Sequence, residues 1–178
     1  MVSQKPNLDR RHTIAVLVDN EPGVLARVIG LFAGRGYNIE SLTVSEIDAV
    51  KGYSRITIVT SGTDMVIDQI KALLDRLVPV HIVEDLTIQG PCLERELALV
   101  KVVNAGERRI EALRIADMFR ARAIDSTLNS FVFELTGSPN KLNAFIELMS
   151  GLGKIEITRG GVVAMARGSG LGLQNTKT

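Results

Sequence analysis

The stretch from Asn38 to Val59, NIESLTVSEIDAVKGYSRITIV, decides how this chain folds. Asn38-Ile-Glu-Ser-Leu-Thr-Val44 and Ser54-Arg-Ile-Thr-Ile-Val59 each alternate with period two, which predicts two strands of a hairpin. A helical stripe flanks the pair on either side. Upstream, Val24, Leu25, Val28, Ile29, Leu31 and Phe32 recur at the spacing of one helix face, and Gly34 and Gly36 stop it. Downstream, Ser61-Gly62-Thr63-Asp64 reads as a turn with a cap, followed by Val66, Ile67, Ile70, Leu73, Leu74 and Leu77 and ended by Pro79. His12–Val18 is a β-rich run before the first helix, joined to it through Asp19-Asn20-Glu21-Pro22-Gly23, an Asx residue with Pro two positions on. Val80 through Ile88 supplies a fourth strand. The order β-α-β-β-α-β is the split-βαβ, ferredoxin-like unit, in which two helices cover one face of a four-stranded antiparallel sheet.

Gln89-Gly90-Pro91-Cys92 breaks the pattern, and the same order then begins again. Leu97–Val103 is a strand and Arg109–Arg122 a helix. Ala123–Ser126 and Phe131–Leu135 are strands, Asn140–Ser150 a helix and Lys154–Thr158 a strand. Phe32 corresponds to Phe119, and Gly62, Ile70, Leu73, Val80 and Ile82 to Gly137, Phe145, Leu148, Ile155 and Ile157. The second copy is shorter by about 12 residues, lost from the middle hairpin. The fold class is therefore α+β, two tandem ferredoxin-like βαββαβ domains over residues 12–88 and 95–168. Gly161–Ala166 extends a last strand. Residues 1–11 read as a loose tail, and the stretch from Gly168 on as disordered.

The 178 residues suit two small domains. With 21 Lys+Arg against 20 Asp+Glu, net charge is +1, which argues against a surface built to neutralise phosphates. Apolar residues make up 46%, yet no run is long enough to span a bilayer, and the start has no secretory h-region. A single cysteine, Cys92, forms no internal disulfide and suits a reducing cytoplasm.

Little catalytic chemistry is present. The two histidines, His12 and His81, lie in predicted strands without metal-spaced partners, and read as ordinary strand-end residues. Cys92 sits in a linker. GxSxG, HExxH and CxxC are absent, and Gly30, Gly34 and Gly36 match no phosphate loop. The acidic residues are scattered and read as solvated faces. RNA-recognition domains share the βαββαβ order, but they stack bases on sheet aromatics embedded in a basic motif. Here Ile56–Val59 carry no aromatic, and no such motif surrounds Phe131 and Phe133.

The informative spot is Val18–Leu25. The first amides of a helix have no internal partner and carry partial positive charge, so they can receive a carboxylate. Gly23 lets a small ligand approach the backbone. Asn20 offers both donor and acceptor, as an α-amino acid requires. Val24 and Leu25 begin an apolar face. On the residues alone this is equally an ordinary strand-to-helix turn with a cap, and Asn38 equally a turn residue.

Asp19-Asn-Glu-Pro-Gly-Val-Leu25 at a strand–helix junction resembles the signature of ACT domains, which bind small ligands, often amino acids. The strings Val24-Leu-Ala-Arg-Val-Ile-Gly-Leu-Phe32, Arg35-Gly-Tyr-Asn-Ile-Glu-Ser-Leu-Thr-Val44 and Ser54-Arg-Ile-Thr57 are similar to the small, regulatory subunits of acetolactate synthase. Glu94-Arg-Glu-Leu97, Phe119-Arg-Ala-Arg-Ala-Ile-Asp125, Gly161-Val-Val163 and Arg167-Gly168 match too, so the resemblance runs over roughly 12–168. The hairpin Glu46–Tyr53 and Gly160 depart from the family's pattern. The resemblance implies an N-terminal ACT domain and an ACT-like C-terminal domain, with no catalytic or metal-binding residue in this chain. It implies a homodimer that activates a large catalytic subunit and confers inhibition by valine or another branched-chain amino acid. Thiamine diphosphate, Mg²⁺ and FAD then belong to the catalytic subunit. No nucleic acid and no membrane are expected as partners. The effector residues it implies are Asn20, Glu21, Pro22, Gly23, Val24 and Leu25, with Asn38 and Ile39 contributed by the neighbouring protomer. A stand-alone ACT sensor acting on another enzyme or regulator is the alternative.

Overall fold

A computed structural model of the chain describes residues 9–103 and 108–169. They form two compact units, residues 9–93 with 164–169, and residues 94–163. The first contains β1 (Arg10–Asp19), α1 (Val24–Arg35), β2 (Ser41–Asp48), β3 (Tyr53–Gly62), α2 (Asp64–Asp75) and β4 (Val80–Asp85). Its sheet runs β2-β3-β1-β4, with every neighbouring pair antiparallel. The order repeats as β5 (Cys92–Val103), α3 (Arg109–Phe119), β6 (Arg122–Ser126), β7 (Ser130–Gly137), α4 (Pro139–Ser150) and β8 (Lys154–Arg159), in a sheet ordered β6-β7-β5-β8. Both predicted βαββαβ repeats are present.

Each repeat buries its own apolar layer between helices and sheet. In the first, alternate residues Ile14, Val16 and Val18 of β1 and Ile56 and Ile58 of β3 face Val28 and Phe32 of α1 and Ile67, Ile70 and Leu74 of α2. In the second, Val100 and Val102 of β5 and Phe131, Phe133 and Leu135 of β7 meet Ile115, Leu142, Phe145 and Met149. Period two on the strands and three-to-four on the helices bring these side chains to one layer.

Several boundaries differ from the sequence reading. β1 starts at Arg10, inside the expected tail, and residues 1–8 lie outside the described residues, as does the expected disordered tail beyond 169. β4 stops at Asp85, whose carboxylate accepts the Thr87 amide at 3.0 Å and turns the chain. Cys92 opens β5 rather than occupying a linker. Residues 161–166 do not prolong β8. Val163–Ala166 form a separate strand, β9, that pairs with β5. Ala164 packs on Ala15, Leu17 and Leu86, covering the face of β1 that the helices leave bare. Arg55 Nη2 donates to the Ala164 carbonyl at 2.6 Å. Burial holds that guanidinium below its ordinary pKa, and Glu84 opposes the shift.

Two acids and one histidine also depart from expectation. His12 is buried, with Nδ1 2.8 Å from the equally buried Asp85. Glu96 is buried and receives Arg159 Nε at 2.8 Å and Nη2 at 2.5 Å, a forked pair that raises the arginine's pKa.

Helix α3 ends at Phe119, three residues before the predicted end. Arg120 adopts φ +56°, and the Ala121 amide reaches back to the Ala116 carbonyl at 2.8 Å. α1 closes in the same way through Gly36 at φ +69°, the residue this conformation favours. Arg120→Gly is therefore expected to stabilise the second unit by about 1 kcal/mol, since relief of left-handed strain exceeds the added chain entropy. A higher denaturant midpoint at unchanged slope checks it.

Candidate effector site at the first strand–helix turn

β1 delivers Asp19 and Asn20 to the edge of the turn, and two backbone hydrogen bonds fix them there. The Asp19 amide donates to the Pro79 carbonyl at 2.9 Å and the Asn20 amide to the Gly52 carbonyl at 2.7 Å. The Asp19 side chain does not cap the helix. Its Oδ1 lies 2.7 Å from His81 Nε2, and the His81 ring packs on Tyr53 with centroids 4.8 Å apart. The helix N-cap is Gly23, at φ +87° and ψ −9°, with no side-chain cap. That backbone conformation is one L side chains rarely adopt, and a Cβ there would meet no heavy atom within 4 Å.

The expected cap by an Asx side chain is thus corrected: the N-cap is Gly23, no side chain caps it, and Asp19 is bonded to His81 instead. The Arg27 amide returns to the Gly23 carbonyl at 3.0 Å, and the Val24 amide meets the Glu21 carbonyl at a long 3.4 Å. Glu21 also pairs with Arg27 at 3.3 Å across the first turn. Asn20, Glu21, Pro22 and Gly23 are exposed, so the turn is open to a ligand, while Val24 is buried as the first anchor of α1. Leu25, 38% exposed, and Ile29, 39% exposed, stand one turn apart on the outer flank of α1. Val44 of the edge strand β2 is exposed as well.

Asn38 and Ile39 are not brought to this turn. Asn38 is exposed, and its carbonyl accepts Thr60 Oγ1 at 2.7 Å. Ile39 is partly buried against the first core. Thr60 lies seven residues along β3 from Tyr53, the partner of Asp19. At ~3.4 Å per residue, Asn38 and Asn20 sit about 24 Å apart, at opposite ends of one sheet.

The supporting groups His81, Tyr53 and Gly52 were not read from the sequence, since nothing local ties them to a turn more than 30 residues away. Ile29 was readable, being four residues after Leu25 on the same stripe. Among the described residues no group of three His, Cys, Asp or Glu side chains could hold a metal ion, and no helix is long and apolar enough to cross a membrane.

Comparisons with known proteins agree with this architecture. The family described as the AHAS small subunit-like ACT domain matches residues 14–81, and the small subunit of acetolactate synthase family matches 95–168. The chain is 46% identical over 159 residues to a probable acetolactate synthase small subunit of Archaeoglobus fulgidus, covering 89% of this chain and 98% of that protein. It is 48% identical over 159 residues to the acetolactate synthase small subunit of Aquifex aeolicus, covering 89% and 82%. The crystal structure of the acetolactate synthase small subunit from Thermotoga maritima superposes with a TM-score of 0.80 at 38% identity, covering 90% of this chain and 99% of that one. Two ACT-like repeats, matched over both halves, make this chain a member of the acetolactate synthase small-subunit family.

Proposed function

We propose that the chain is the regulatory subunit of an acetolactate synthase. It binds the large catalytic subunit, raises its activity and confers feedback inhibition by branched-chain amino acids, valine foremost, in valine, leucine and isoleucine synthesis. It contributes no catalytic group of its own. Thiamine diphosphate, Mg²⁺ and FAD reside in the catalytic subunit, where two pyruvates, or pyruvate and 2-oxobutyrate, are condensed. The complex belongs to the reducing cytoplasm.

The observation that carries this reading is the exposed, side-chain-free cap at Gly23. The effector carboxylate sits on the amides at Gly23 and Val24, where the helix dipole favours negative charge. The Asn20 amide group orients it. Leu25 contacts its aliphatic side chain.

Asn38 and Ile39 complete the site from a second protomer. Two copies paired antiparallel along their β2 edges would set the Asn20 end of one sheet beside the Asn38 end of the other. The exposed Leu25, Ile29 and Val44 lie along that flank and would be covered by the pairing. A ligand shared by two chains favours one packing of the dimer over another, and only such a difference shifts an equilibrium. A coupling of about 1–3 kcal/mol corresponds to roughly 5- to 150-fold in activity or affinity.

Reconstitution tests the whole reading. Adding this chain to the large subunit is expected to raise acetolactate formation, and valine to reverse the gain. Calorimetry of the chain alone is expected to show two equivalent valine sites per dimer, one per chain, with leucine and isoleucine differing by about 1–3 kcal/mol per methylene. A chain that neither stimulates the large subunit nor binds any of the three amino acids sinks it.

A further inference from the structure

Strand β6 of the second unit carries a charge order that is complementary to its own copy. It is the terminal strand of the sheet β6-β7-β5-β8, and each of its five residues, Arg122-Ala-Ile-Asp-Ser126, is exposed. Its outward N–H and C=O groups therefore face solvent, ready to pair with another strand. The two charges, Arg122 and Asp125, flank Ala123 and Ile124. In a regular strand, residues three apart point to opposite faces. Here a bulge between Ala123 and Asp125 changes that. Arg122 lies opposite Glu134 and Asp125 opposite Val132, two alternate positions of β7, so both charges project from the same face.

A two-fold axis through the bulge would set Arg122 of each copy opposite Asp125 of the other. A parallel pairing would oppose like charges, and a slip of one residue would oppose charge with Ile124 or Ala123. The Asp125 carboxylate makes no ion pair or hydrogen bond among the described residues. Arg122 gives Nη2 to Glu134 at 2.8 Å and keeps further N–H groups for a second carboxylate. Ile124, 46% exposed, stands beside the axis. Across the axis Ile124 would meet Ala123 of the second copy.

We propose that β6 is a self-association edge, pairing antiparallel with β6 of a second copy of this chain about a two-fold axis at Ala123–Ile124. This interface is independent of the effector site and of the β2 edge.

Cross-linking of the full-length chain in a Cys92→Ser background tests it. Ile124→Cys is expected to form covalent dimers on mild oxidation, because each introduced thiol lies diagonal to its counterpart, one residue from direct opposition and within the Cα separation a disulfide spans. Lys154→Cys, on the opposite edge strand β8, is expected to form none. Adding Asp125→Arg should cut the Ile124→Cys yield at least tenfold, by opposing two arginines. Adding Arg122→Asp and Glu134→Gln to that variant should restore it. Ile124→Lys should shift the sedimenting species to lower mass, and provides a second readout if a cysteine variant folds poorly. Equal yields from Ile124→Cys and Lys154→Cys, or an Ile124→Cys yield indifferent to the charge changes, overturn the proposal. So does protection of the thiol in Ile124→Cys by the large subunit in the intact complex, which would assign the edge to that partner.

Discussion

Gly23→Asp is expected to abolish valine inhibition while leaving stimulation of the large subunit in place. The introduced carboxylate would stand where the effector's own carboxylate is proposed to bind. Two such charges about 4 Å apart at an effective dielectric near 20 repel by about 4 kcal/mol. A loss of at least ~100-fold in valine affinity should follow, equivalent to about 2.7 kcal/mol. Packing does not confound the result, since a Cβ at Gly23 meets no atom within 4 Å. The left-handed backbone, φ +87°, does add strain. Gly23→Ala isolates that contribution. It carries the same cost of about 1–2 kcal/mol without the charge, and this cost falls on free and bound states alike. Alanine should therefore lower the melting temperature yet shift half-inhibition by less than about tenfold. Inhibition curves of the reconstituted enzyme, with thermal melts of each variant, separate the two. Full valine sensitivity in Gly23→Asp would remove the turn from the effector site.

The elements were legible because each repeat buries one face. Ile56 and Ile58 declare β3 by alternation, and Val28 and Phe32 declare α1 by spacing, without reference to distant chain. What stayed hidden depends on residues far apart in sequence. Ala15 and Leu17 face away from the helices yet are buried, because Ala164 returns to cover them. A local reading of β1 offers no reason for apolar residues on both faces. His12 pairs with Asp85 across 73 positions, and Asp19 with His81 across 62. The second of these changed the site itself. Asp19 is committed to His81 and no side chain caps α1, so the glycine cap is left open. The left-handed Arg120 is hidden for a related reason. Helix periodicity does not foretell a left-handed arginine, and only the return bond from Ala121 to Ala116 shows where α3 ends. The separation of Asn38 from Asn20 follows from topology rather than motif, since α1 carries the chain from one end of the sheet to the other.

Phe133→Ala should be the most destabilising single change in the second unit. The ring is fully buried at the middle of β7, with Phe131 5.4 Å and Phe145 6.1 Å away between centroids. Removing it deletes the edge-on contact with Phe145 of α4 as well as its own burial. Phe→Ala in such a site costs about 3–5 kcal/mol, a large part of the 5–15 kcal/mol that holds a domain folded. Little of the loss can be recovered by collapse, because Val100 and Val102 on one side and Leu142 and Phe145 on the other are themselves fully buried. The first unit has a separate apolar layer around Val16, Ile58, Phe32 and Ile70, none of which belongs to this cluster. Chemical denaturation of the variant is accordingly expected to split into two transitions, the earlier one belonging to the second unit. Valine binding by calorimetry should persist below the later transition. Phe32→Ala should invert the pattern, costing a similar amount but eliminating valine binding first, because the helix that loses its anchor is the one whose N-terminus is proposed to receive the effector. A single cooperative transition in both variants, with binding lost in both, would mean that the two layers fold only together and that the effector site draws its rigidity from the whole chain.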